Sequence, residues 1–248
     1  RVTGFERPPT PPPVPPSSAK LPPERRRSRF AVRRLLAGLG YQETINFSFV
    51  DERWEKELAG NGDPIRLLNP IASQMSVMRS SLLGSLLQVL RFNLDRKAER
   101  VRVFEIGRVF LRDASVPTTH NTVRGVDQPL RVAGLAYGEP DGLQWARKSP
   151  GADFYDAKGD VEALLSPLRT DFVPSEHPAM HPGRCAAIHL GGRAVGVLGE
   201  LHPRWRQSWD LPHAPVLFEL DLDVVLDRPL PAFQPVPKFQ PAERDIAV

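Results

Sequence analysis

Asn69-Pro70-Ile71-Ala72-Ser73-Gln74-Met75-Ser76-Val77-Met78-Arg79-Ser80-Ser81-Leu82-Leu83, followed further along by Arg102-Val103-Phe104-Glu105-Ile106-Gly107-Arg108-Val109-Phe110, is the stretch whose reading decides the fold. Asn-Pro is a turn signal, because proline presets φ and asparagine can bond its own backbone. Ser80 or Ser81 can then cap a helix whose Leu83, Leu86, Leu87, Leu90 and Leu94 recur at helical spacing. The second block alternates as a strand, predicted over Val101 to Arg112.

Outward from this centre the pattern stays mixed. Upstream, Glu24 to Gly40 reads as an amphipathic helix with Phe30, Ala31, Leu35, Leu36 and Leu39 along one side and a glycine stop. Tyr41 to Val50 follows as a half-buried strand, Ile45, Phe47 and Phe49 facing one way and Thr44, Asn46 and Ser48 the other. Downstream come a strand at Leu130 to Tyr137, a helix at Asp156 to Leu168 and a final strand at Val216 to Leu226. Between the last two, Cys185 to Leu190 and Arg193 to Leu198 flank Gly191-Gly192, a pair that accepts the positive φ of a tight hairpin turn. Hairpins dominate and strand-helix alternation is absent. The expected class is α+β, a mainly antiparallel sheet flanked by helices.

The 248 residues are enough for one large core. No apolar run approaches the ~18–20 residues of a membrane helix, no signal peptide opens the chain, and the expected compartment is the cytoplasm. A single cysteine, Cys185, excludes an internal disulfide and a Cys-based zinc site. The net charge of +4 is compatible with work beside RNA without requiring it. The chain begins at Arg and ends as a strand-like alternation starts, so it reads as a piece of a longer polypeptide. Proline clusters divide it into residues 1–23, the end of a preceding domain and a linker, a body at 24–228, and a second linker with the start of another domain at 229–248.

Six blocks, in order, resemble the catalytic-like domain of the β subunit of bacterial phenylalanyl-tRNA synthetase, which has a class II aminoacyl-tRNA synthetase-like core. They are Gly40-Tyr41-Gln42-Glu43, Asn69-Pro70 through Arg79-Ser80 to Leu83, Val103-Phe104-Glu105-Ile106-Gly107-Arg108-Val109-Phe110, Phe154-Tyr155-Asp156-Ala157-Lys158-Gly159-Asp160-Val161-Glu162, His181-Pro182-Gly183-Arg184, and Gly199-Glu200-Leu201-His202-Pro203. The flanks continue the resemblance, with Pro237 to Asp245 similar to the start of a ferredoxin-like anticodon-binding domain. Cys185 departs from the serine usual after Pro-Gly-Arg. The resemblance implies a parent enzyme that uses ATP and magnesium to charge tRNA(Phe) with phenylalanine, as a heterotetramer of two α and two β subunits with its active site in α. It implies no cofactor in this segment.

Class II enzymes stabilise the developing charge of adenylate formation with an arginine on their second motif. By resemblance, Gly107-Arg108-Val109-Phe110-Leu111-Arg112-Asp113 places Leu111 where that arginine belongs. Leucine cannot donate to phosphate, and Arg108 and Arg112 have the opposite strand parity. Loss of such a contact costs a few kcal/mol, on the order of a hundredfold in rate. The third motif is thin as well: Gly196 to Gly199, then Arg204, with loose glycine spacing. The expectation is a pseudo-catalytic core with no catalytic residue. Class II cores pair through the first motif, so Phe30, Leu35 and Leu39 are expected at the α-subunit interface. The alternative is a tRNA-binding module, with Arg25, Arg26 and Arg27 of the basic first helix contacting phosphates.

Other signals carry two readings each. His177 and His181 have the i, i+4 spacing of a zinc pair, but Pro178 and Pro182 oppose the helix that would align them. Asp156, Lys158, Asp160 and Glu162 are either a charged catalytic cluster, or a helix start at Asp156 with the others solvated or paired. Glu105 interrupts an apolar face, so it either pairs with an arginine such as Arg79 or lies exposed. Trp205 and Trp209 are expected to be core or interface anchors.

Overall fold

The computed structural model describes residues 24, 26–140 and 151–230 and the single positions 233, 235 and 244. The helices are α1 (Arg29–Gly38), α2 (Glu52–Glu57), α3 (Leu83–Leu94), α4 (Phe154–Leu165), α5 (Pro203–Ser208) and α6 (Leu222–Leu226). The strands are β1 (Gln42–Glu43), β2 (Phe49–Val50), β3 (Val77–Met78), β4 (Val101–Arg108), β5 (Leu111–Arg112), β6 (Val126–Asp127), β7 (Leu130–Tyr137), β8 (Asp171–Pro174), β9 (Met180–Leu190), β10 (Arg193–Leu201) and β11 (Val216–Asp221), and a single 3-10 turn spans Ser73–Met75. Seven strands form the main sheet in the order β1-β4-β7-β11-β10-β9-β8, every pairing antiparallel except β1 with β4. The α+β class with a mainly antiparallel sheet is therefore correct.

Alternation along the central strands loads both faces of the sheet. Phe104, Val132, Val195, Phe218 and Leu220 pack toward α1, α4 and α6. Val101, Val103, Leu135, Leu201 and Leu217 pack toward α3 and α5. Gly134 lies opposite Phe218 across the β7–β11 ladder, where a Cβ would overlap the phenyl ring. Gly191 and Gly192 have φ of 56° and 80° and turn the β9–β10 hairpin, whose strands run well beyond the predicted ends.

Several predicted elements need correction. The first helix begins at Arg29, capped by Ser28, and it buries Val32 and Leu36 while Phe30 and Ala31 face outward. Tyr41 to Val50 is not one strand. β1 leaves the sheet after Thr44 N–H bonds the Phe104 carbonyl, and β2 pairs with β3 in a separate ribbon. Between them the expected facing is inverted: Asn46 points inward, while Ile45 and Phe47 are 93% and 63% exposed. The Val101–Arg112 strand breaks at Val109-Phe110, and Val216 to Leu226 divides into β11 and α6. Asp153, not Asp156, caps α4, with Asp156 completing a reciprocal capping box.

Ser80 does not cap α3. Its hydroxyl and N–H both bond the buried Glu55, and Ser81 Oγ accepts from Leu83 N–H. Glu219 supplies the missing anion, accepting from Leu82 N–H at 2.6 Å at the positive end of the helix.

Candidate functional site

β5 and β6 form a small ribbon between β4 and β7, and beside it opens a cleft of about 1020 Å³. Leu111 is on its wall, so the position that resemblance assigns to the phosphate-binding arginine does face a cavity. The remaining walls come from β7, the β9–β10 hairpin, α6 and Arg26. Four aspartates line it, Asp127, Asp221, Asp223 and Asp227, against three arginines, Arg26, Arg131 and Arg193. Two of those arginines are already engaged. Arg26 is paired with Asp223, and Arg131 donates to the buried Glu219 at 2.7 Å and lies 3.8 Å from Asp221. A nucleoside triphosphate brings several negative charges, so a carboxylate-rich wall with no arginine at position 111 does not fit it.

The flanking arginines do not substitute, although the parity argument fails because the strand is broken. Arg108 donates to the Gln128 carbonyl at 2.7 Å, and Arg112 pairs with Asp63 at 3.0 Å. The expected third-motif positions are elsewhere in the fold. Gly199 is packed on β10, where a Cβ would lie 2.8 Å from the Arg184 carbonyl and from the Met180 sulfur. Arg204 ties α5 to the end of α2, donating to the carbonyls of Glu57 at 2.6 Å and Pro178 at 3.2 Å. Neither lines the cleft.

The arginine run expected to grip RNA turns inward. Arg25 lies outside the described residues. Arg26 forms an isolated bridge to Asp227 as well as its pair with Asp223, and Arg27 donates its N–H to the Leu226 carbonyl and its guanidinium to the Leu164 carbonyl. These residues precede α1 and act as a clasp onto α6 and α4. On the helix itself, Arg33 pairs with Glu43 at 2.6 Å. Of the residues expected at a subunit interface, Phe30 is exposed, while Leu35 and Leu39 are half-buried against the core.

The family-motif residues are mostly structural fasteners. Arg79 and Glu105 form a buried ion pair at 2.7 Å. Glu105 also accepts from Asn46 Nδ2, and Arg79 donates from Nε to the Arg108 carbonyl. Gly107 is required beside them, since a Cβ there would lie 2.9 Å from Glu105 Oε1 and overlap the Arg79 guanidinium. Arg184 Nη1 donates to both oxygens of Glu200, and Lys158 pairs with Glu162 one turn on. Gly159 is exposed on α4. His202 caps α5 with Pro203 behind it. His181 Nδ1 accepts from Gly183 N–H just after Pro182, and His177 Nδ1 accepts from Ala179 N–H, so the two imidazoles face their own turns. Asn69 and Pro70 are exposed in the bend before the 3-10 turn.

Sequence reasoning missed one cluster entirely. Tyr41 donates to Asp160 at 2.7 Å, Arg102 pairs with the same carboxylate, and its guanidinium stacks 4.4 Å above the Tyr41 ring. Burial pushes the Asp160 carboxyl above its ordinary range, against the pull of the Tyr41 hydroxyl and Arg102. The available signal was the parity of Arg102, which shares the core-facing side of β4 with Phe104. Glu219, alone among apolar residues in Val216 to Leu220, was a similar signal. Burial pushes the Cys185 thiol up to about 11, leaving it a packed, unreactive neighbour of Met180. Trp205 is buried and stacks at 6.0 Å on the half-buried Trp209, which stacks at 5.6 Å on Trp54.

The family model described as "Phenylalanyl tRNA synthetase beta chain CLM domain" matches residues 8–222. Among curated proteins, the "Phenylalanine--tRNA ligase beta subunit" of Burkholderia lata is 56% identical over 248 residues, which are 100% of this chain and 31% of that protein. The same-named protein of Chromobacterium violaceum is 51% identical, covering 100% of this chain and 30% of the relative. The chain thus spans less than a third of the curated relatives it matches. Among solved structures, PylSc of Desulfitobacterium hafniense, a pyrrolysyl tRNA synthetase, superposes with a TM-score of 0.53 at 13% identity, over 81% of this chain and 66% of that one. At that identity the likeness is one of fold. Among the described residues no helix is long and apolar enough to cross a membrane, and no group of three or more His, Cys, Asp or Glu is placed to hold a metal ion.

Proposed function

The chain belongs to the phenylalanyl-tRNA synthetase β chain family, and on that premise we propose that it is the non-catalytic core of a β subunit, supporting an α subunit that charges tRNA(Phe). Its folded body is residues 24–228, with Pro-rich flanks leading to neighbouring domains. The enzyme works in the cytoplasm as two α and two β subunits, and ATP and magnesium act in the α-subunit site. The observation that carries the reading is the cleft beneath Leu111, walled by aspartates where the family's chemistry needs arginine.

Assembly is supported by the first helix and the segment after it. Phe30, Ile45 and Phe47 are exposed together with Leu68 and Ile71, more large apolar surface than a lone fold leaves in water without use. Leu35 and Leu39 back this surface from inside. The alternative of tRNA binding through Arg25, Arg26 and Arg27 has less support, because Arg26 and Arg27 are clasped to the fold.

The test is phenylalanine-dependent ATP–pyrophosphate exchange by the complete β chain, alone and with the α subunit. Exchange only in the presence of α is expected, and exchange by β alone would refute the non-catalytic reading. In parallel, Ile45→Ser with Phe47→Ser should weaken α–β association at least tenfold without lowering the melting temperature. Unchanged association would remove the assembly role from this surface.

A further inference from the structure

Three motif blocks that take no part in the cleft converge on a second groove, of about 640 Å³, at the N-terminal end of α4. Its walls are Phe154, Tyr155, Phe172, Pro174 and Pro182, with Arg184 at the rim. Tyr155 is 75% exposed and stands edge-on to Phe154 at 5.7 Å. The ions around the rim are spent within the fold. Arg184 is held by Glu200, Lys158 by Glu162, and Asp153 accepts from the N–H groups of Tyr155 and Asp156. Such a groove offers little to a phosphate or a charged peptide. Aromatic and proline walls suit an uncharged extended segment in polyproline geometry, whose rings lie flat on aromatic faces without further loss of backbone entropy.

The chain itself carries that ligand: Thr10-Pro11-Pro12-Pro13-Val14-Pro15-Pro16 has no charged residue. It lies outside the described residues, but its tether is fixed, because Arg27 bonds the Leu164 carbonyl at the opposite end of α4. The step along α4 from Leu164 back to Phe154 is about 15 Å at ~1.5 Å per residue. From Arg27 back to Pro16 a polyproline chain spans about 34 Å at ~3.1 Å per residue, enough to cover that step and the turn onto the groove.

We propose that Pro11–Pro16 docks in the Phe154–Tyr155–Phe172 groove of its own chain, seating the linker on the core it precedes. The test places a photoreactive residue beside the segment, Ser17→p-benzoylphenylalanine in the complete polypeptide, and maps cross-links by mass spectrometry. Intramolecular cross-links to residues 153–155, 172–174 and 182–186 are expected. Their yield should fall about tenfold both with Tyr155→Ser and with Pro12→Gly plus Pro13→Gly, the latter leaving the folded body untouched. Cross-links that map elsewhere, that ignore both variants, or that join two copies in proportion to concentration would overturn the proposal.

Discussion

The ion pair between Arg79 and Glu105 is the sharpest quantitative test of how this fold is held. Both side chains are nearly inaccessible, at 2% and 4%, so removing either partner leaves a buried charge without its counter-ion. That costs about 3–5 kcal/mol, whereas replacing both by apolar groups is often close to neutral. Arg79→Met and Glu105→Leu should therefore each destabilise by about 3–5 kcal/mol. The double variant should lose only ~1–2 kcal/mol, chiefly because Asn46 Nδ2, which donates to Glu105 at 2.8 Å, is left without an acceptor. Urea unfolding followed by tryptophan emission reads this directly, since Trp205 is packed in the cluster on the α3 face of the sheet. At an m-value of ~3 kcal/mol/M, each single variant moves the midpoint by about 1–1.7 M and the double variant by less than either. Additive losses, with the double variant least stable of all, would refute the idea that the two charges stabilise each other.

Three further outcomes follow from individual contacts. Leu111→Arg should confer neither ATP binding by calorimetry nor pyrophosphate exchange, because Asp127, Asp221, Asp223 and Asp227 remain on the cleft wall; measurable ATP binding would show that one residue sets the defect. Gly134→Ala should destabilise by about 1–3 kcal/mol or more in urea, since its Cβ overlaps the Phe218 ring in the middle of the sheet; an unchanged midpoint would mean that the ring can move aside. Burial first, then neighbouring positive charge, holds the His202 imidazole below its ordinary range, and burial chiefly does the same for His177. Their folded values lie below the unfolded ones, so the stability they contribute is present above the unfolded value, ~6.5, and lost as pH falls through the lower folded values. The urea midpoint should drop between pH 7 and pH 5, and less in a variant combining His177→Gln with His202→Ser, the latter keeping a hydroxyl able to cap α5; equal slopes would assign the acid loss to other groups.

Much of the fold was legible because local rules and tertiary demands agree. Leu130 to Tyr137 is a strand to the residue, and Gly191-Gly192 turn the hairpin with the positive φ their sequence advertises. Failures fall where tertiary partners overrule the local pattern. Ser80 has the chemistry of a helix cap, but buried Glu55 claims its hydroxyl, and a glutamate from β11, distant in sequence, takes over at the helix start. Arg26 and Arg27 look like a phosphate-binding run, and only the fold reveals Asp223 and two carbonyls of α6 and α4 waiting for them. The Leu111 position was visible through resemblance, but the aspartates beside it come from segments far apart in sequence and no spacing announces them.

The segment from Ile45 to Phe47 turns one of these failures into an argument about assembly. Alternation correctly separates its apolar residues from its polar ones, but alternation has no sign: it does not say which face is covered. Here the covered side is the polar one, because Glu105 needs Asn46 as well as Arg79, and Arg79 N–H reaches the Ser48 carbonyl at 3.0 Å. A buried ion pair thus dictates the facing of a segment it does not belong to and turns Ile45 and Phe47 toward solvent. A chain free to optimise its own burial would gain by the opposite facing, by roughly 1.5–3 kcal/mol per large apolar side chain. On the proposed reading that loss is recovered when the α subunit covers the two residues. It follows that Glu105→Leu, beyond destabilising the fold, should weaken α–β association more than Gly134→Ala does at equal loss of stability, and equal effects would uncouple the ion pair from assembly.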